Sequence, residues 1–127
     1  MRVLKVLTLL DDYWHPGEIV RMGLAPLEGD GFAFTYVQDA KDILDSEMLS
    51  RFEVVLNCKG NSINAANRNP WFEEGVTEVG PRALRTYVEA GGGFLSLHAG
   101  NAFSRDDHPD YLNLIGGCFI DHPPRCD

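Results

Sequence analysis

The stretch Ala90-Gly-Gly-Gly-Phe-Leu-Ser-Leu-His98-Ala-Gly-Asn101 constrains the fold of this chain more than any other. The helical spacing of Leu84, Tyr87 and Val88 ends at Gly91, because glycine adopts the left-handed cap conformation without a Cβ penalty. The short apolar run Phe94 to Leu97 reads as a strand. His98 then falls where that strand must turn. Strands that alternate with helices form a parallel sheet covered on both faces. In such a sheet ligands bind beyond the carboxyl ends of the strands. His98 therefore stands at the expected active edge.

The rest of the chain repeats the alternation. Val3 to Leu10 is an apolar, partly β-branched run closed by Asp11-Asp12, and reads as the first strand. Lys5 inside the run and the absence of a small-residue cleavage site argue against a signal peptide. Tyr13 to Gly17 is a loop, and Pro16 opens a helix carrying Ile19, Val20, Leu24 and Leu27, which Pro26 is expected to end or kink. Phe32 to Val37 is a second strand. One short helix with Leu44, Met48, Leu49 and Phe52 inward follows. Glu53 to Asn57 is a third strand. An Asn-rich loop runs from Asn61 to about Gly75, long enough to suggest a functional role. Gly80-Pro81 opens the next helix, Pro109 to Ile115 a short last one, and Phe119-Ile120 is expected to begin another extended segment. The order implies a single domain over residues 1–127. Its fold class is α/β, a flavodoxin-like three-layer sandwich with a mainly parallel sheet and the first strand near its centre. The chain stops just after His122-Pro-Pro124, as if within a motif, so the expectation is an incomplete domain.

Composition narrows the partners. The 127 residues carry 19 acidic and 11 basic side chains, a formal net charge of −8. Nucleic acid and anionic membrane both call for a basic surface, so neither is expected. No run approaches the ~20 apolar residues of a membrane span. Three cysteines, Cys58, Cys118 and Cys126, make an odd count without a paired motif, which points to a reducing, cytoplasmic setting. An uncovered fourth strand would favour a homo-oligomer, since exposed edges recruit partners.

Four histidines carry the candidate chemistry. His15 and His98 follow the first and fourth strands, on one sheet edge, while His108 and His122 lie in loops. A lone histidine is commonly an exposed loop residue or a satisfied buried one; two at one edge invite a shared role. Neutral imidazoles are frequent metal ligands, so His15 and His98 are candidates for a divalent ion such as zinc, with a third ligand from Asp11, Asp12, Asp106, Asp107 or the remainder of the expected longer domain. Alternatively His98 is a general base. Ser96-Leu-His98-Ala-Gly100 has the outline of a strand-to-helix nucleophile elbow with histidine at its centre, so an acyl-transfer nucleophile is missing there. Cys58 near the same edge is the remaining nucleophile candidate, though a small packed residue is the simpler reading. Gly91-Gly92-Gly93 precedes a strand, whereas phosphate loops follow one, so no nucleotide or flavin is expected. Asn57, Asn61, Asn64, Asn67 and Asn69, with Trp71 and Phe72, combine amides and aromatic faces in a way that suits a sugar. Asn57, Asn61, Asn101 and Trp71 are the substrate-binding candidates.

Three segments together resemble the trehalose-utilisation (ThuA-like) family, a branch of the class I glutamine-amidotransferase-like fold. They are Tyr13-Trp-His-Pro16, Glu89-Ala-Gly-Gly-Gly-Phe-Leu-Ser-Leu-His98-Ala, and Tyr111-Leu-Asn-Leu-Ile-Gly-Gly-Cys-Phe119 leading to His122-Pro123. The resemblance spans most of the chain and implies members longer than this one. It implies carbohydrate metabolism, including sugars oxidised to ring ketones, with His15 and His98 facing the pocket beside a divalent metal. The amidotransferase nucleophile does not carry over. The expected function is proton transfer on a sugar or keto-sugar. The alternatives are a noncatalytic ligand-binding or assembly module on the same fold, and a cysteine-dependent hydrolase using Cys58.

Overall fold

The computed structural model describes residues 2–61, 70–103, 106 and 108–121. Four strands, β1 (Leu4–Leu9), β2 (Phe32–Val37), β3 (Val54–Asn57) and β4 (Gly93–Ser96), form one sheet in the order β2-β1-β3-β4. Every pairing is parallel, with Val6 opposite both Phe34 and Val54, and Val54 opposite Gly93. This is the expected α/β architecture with β1 inside the sheet. All four carboxyl ends lie on one edge.

Side chains alternate across a strand, so each strand feeds two cores. Leu7, Leu9, Val37 and Val55 point into the larger one, with Leu84 of α4 (Pro81–Glu89) and Tyr111 of α5 (Pro109–Ile115). Val6, Leu56 and Cys58 point the other way, onto Val20 and Leu24 of α1 (Gly17–Glu28). That second face is only partly covered. Leu95 and Leu97, at and beyond the end of β4, remain 56% and 49% exposed.

Helix boundaries follow local chemistry. The Asp11 carboxylate accepts from the Gly17 amide at 2.7 Å and satisfies one of the donors that open α1. Pro26 does not end α1, which runs on to Glu28. It sits in the last turn, where the only bond it removes is the one to the Met22 carbonyl, on an exposed residue. The single helix expected between β2 and β3 is two, α2 (Ala40–Ile43) and α3 (Ser46–Ser50). Leu44 is extended, and Asp45 restarts the helix by accepting from the Met48 amide at 2.6 Å. Gly91 closes the α4 segment at φ +104°. Phe119-Ile120 forms no strand among the described residues.

Candidate functional site

Two strand tips build the site. After β1 the chain folds back on itself, with the Asp12 amide donating to the His15 carbonyl and the reverse, at 3.3 and 3.2 Å. Asp12, its side chain 4% exposed, is the anchor. Its Oδ1 accepts from the amides of Trp14 and His15, each at 2.9 Å, and from His15 Nδ1 at 2.7 Å. Its Oδ2 accepts from the Gly60 amide at 2.9 Å, tying β1 to the segment after β3. A carboxylate on Nδ1 selects the Nδ1–H tautomer and leaves Nε2 as the basic nitrogen of His15. Lys59 adds a buried cation to this edge, its ammonium donating to the Gln38 carbonyl at 2.5 Å. Burial pushes the Lys59 pKa down, and Asp39, Asp11 and Asp12 counter that shift.

His98 opens a short 3-10 turn, His98–Asn101, directly after β4. Its φ of +47° is the left-handed conformation that a strained elbow imposes on its central residue. The turn is pressed onto the sheet. The Tyr111 hydroxyl donates to the Gly100 carbonyl at 2.8 Å and accepts from Asn57 Nδ2 at 2.7 Å. The result brings the His15 and His98 rings together edge to face, centroids 4.8 Å apart at 79°.

Both imidazoles line one cleft of about 480 Å³ between α1 and the end of β4. Its other walls include Trp14, Ile19, Leu24, Cys58 and Leu97. Trp14 is 64% exposed and packs edge to face on Tyr13, with centroids 4.8 Å apart.

The four substrate-binding candidates lie elsewhere. Trp71 is fully buried in the larger core against Phe72 and Tyr111, so the tryptophan at the histidine pair is Trp14. Asn57 is fully buried, held by Tyr111 and by the Lys59 amide at 3.1 Å. Asn61 accepts from the Phe72 amide at 3.2 Å and contacts His108 Nε2 at 3.3 Å. Asn101 borders a separate cavity of about 520 Å³ with Phe94 and Cys118. Asn57 and Asn61, which sequence alone leaves free to bind a ligand, are thus taken up by hydrogen bonds within the fold, and Trp71 by the core, while Asn101 lines a cavity other than the histidine cleft. Asn64, Asn67, Asn69, Asp107, His122 and Cys126 lie outside the described residues.

Asp12 is the residue whose role sequence reasoning understated, as a ligand candidate rather than an anchor. The Asp-x-x-His spacing within a four-residue turn is the signal for it. Asp11 is committed to the start of α1. Among the described residues, no group of three or more His, Cys, Asp or Glu side chains is placed to hold a metal ion. Cys58 borders the cleft, but burial pushes its thiol up to about 11. Its alkylation by iodoacetamide at pH 8 is therefore expected to be about a hundredfold slower in the folded than in the unfolded chain. Peptide mapping by mass spectrometry checks this; fast labelling of Cys58 in the native protein would restore it as a nucleophile.

Fold and site together define an α/β domain with paired imidazoles at the strand tips. The family described as trehalose utilisation, ThuA, matches residues 11–127, and the chain belongs to it. Its role is therefore carbohydrate-related. No curated protein and no solved structure gives a significant match to the chain. None of the described helices is long and apolar enough to cross a membrane.

Proposed function

We propose that the cleft binds a sugar carrying a ring ketone, and that the His15–His98 pair moves a proton on the carbon beside that ketone. The ketone acidifies the adjacent C–H. An imidazole nitrogen takes the proton while the C–H electron pair becomes part of an enolate and the carbonyl oxygen takes the charge. Return of the proton to the same carbon gives exchange. Its delivery elsewhere gives isomerisation, and expulsion of a neighbouring substituent gives elimination.

The observation that supports this reading is the 4.8 Å ring pair with one member oriented by a buried carboxylate. A base and an acid at one carbon need such a pair, and an aspartate on Nδ1 stabilises the imidazolium that forms. The same residues supply two nitrogen donors, with Asp12 behind His15 in the position of an outer carboxylate. A divalent ion held by His15 Nε2 and His98 would polarise the ketone. With such an ion bound, the imidazole nitrogens would hold it in place of moving the proton, and Asp12 would fix the ring of the first.

The test is deuterium exchange, in D₂O, at the carbon beside the ketone of a keto-glucoside, followed by proton NMR. His98→Ala is expected to slow exchange by about 10²-fold or more. Full retention of the rate in that variant would sink the proposal. Unaltered sugar binding with no exchange in the native protein would favour the noncatalytic module.

A further inference from the structure

Building on the carbohydrate reading above, we infer that the ligand is a glycoside with an apolar aglycone, seated so that the sugar meets the imidazoles and the aglycone lies against Ile19, Leu24 and Leu97. The walls carry the argument. Of the eleven described residues that line the cleft, His15 and His98 are the ones with strongly polar side chains; Trp14 adds an indole N–H and Cys58 a neutral thiol. A sugar unit presents several hydroxyls, and each one buried without a partner weakens binding. Two imidazoles can serve part of one ring, and Trp14 can stack on its C–H face. A second sugar unit further along the cleft would meet Ile19, Val20, Leu24 and Leu97, none of which can hydrogen-bond through its side chain.

Val20 and Leu24 also pack on the second core, but Ile19 and Leu97 are too exposed to be ordinary packing residues. Ile19 is 64% and Leu97 49% exposed, one on α1 and one beyond β4, and both line the cleft. Covering such surface with an apolar group is favourable, and a mostly apolar cavity with a few convergent polar groups is the usual form of a small-ligand site. About 480 Å³ falls within the range of such sites, roughly 300–1,000 Å³. The cleft is continuous with the histidine pair, so a single molecule can reach both.

Calorimetric titration with methyl glucoside, phenyl glucoside (both anomers of each) and phenol tests this. Phenyl glucoside is expected to bind on the order of tenfold tighter than methyl glucoside. That ratio should collapse towards one in Ile19→Ser and Leu97→Ser, exposed positions where the fold tolerates a polar side chain. Equal affinity for the two glucosides, lost in His98→Ala, would overturn the aglycone assignment and leave the carbohydrate reading standing. Phenol binding as tightly as phenyl glucoside, with methyl glucoside not binding, would overturn both, the cleft then being a plain apolar surface.

Discussion

Asp12→Asn is expected to lower stability by about 1–3 kcal/mol and to slow proton exchange on a keto-sugar by about a hundredfold. Among the described residues four donors converge on this carboxylate: three on Oδ1, from the amides of Trp14 and His15 and from His15 Nδ1, and one on Oδ2, from Gly60. An amide has one acceptor oxygen and one NH₂. With its oxygen in the Oδ1 place, its NH₂ opposes the Gly60 N–H. Reversed, it opposes three donors and releases the imidazole. Either way a buried donor loses its partner, and the imidazolium formed during proton transfer loses its counter-charge. Chemical denaturation reads the first effect, and the D₂O exchange experiment the second. A variant as stable and as active as the native chain would show that the Asp12–His15 contact orients nothing.

The meeting of His15 and His98 was legible because it follows from topology. Parallel strands put all their carboxyl ends on one edge, so two histidines that each follow a strand converge wherever their strands are close in the sheet. The short helix from Pro109 to Ile115 was legible for a local reason: proline at its first position and Gly116 at φ +80° after its last. Trp71 and Asn57 were misplaced because composition does not separate a loop aromatic that lines a pocket from one that plugs the core. Burial decides that, through partners such as Tyr111, 54 residues from Asn57 along the chain. Trp14 is missing from the substrate-binding candidates for the converse reason. An exposed tryptophan beside a histidine looks like any surface loop until α1 and the end of β4 form a cleft next to it.

The elbow supplies the second large effect. Gly100→Ala is expected to destabilise the fold by about 2–3 kcal/mol, with a matching fall in the denaturant midpoint. A Cβ at this position would lie 2.3 Å from the Asn57 backbone oxygen and 2.6 Å from Ser96 Oγ. Neither neighbour can retreat cheaply. The Asn57 oxygen already accepts from the Leu97 amide at 2.9 Å, and Ser96 Oγ is held near the Tyr111 hydroxyl at 3.2 Å. The turn would have to lift, and lifting it breaks the 2.8 Å bond from Tyr111 to the Gly100 carbonyl. Because His98 begins that same turn, the ring pair should separate as stability falls, so exchange activity is lost together with the midpoint. Gly117→Ala is the control, since a Cβ there meets nothing within 4 Å, and its midpoint should match the native chain. If both alanine variants unfold at the native midpoint, the turn is not pressed onto the strands, and the position of His98 needs another explanation.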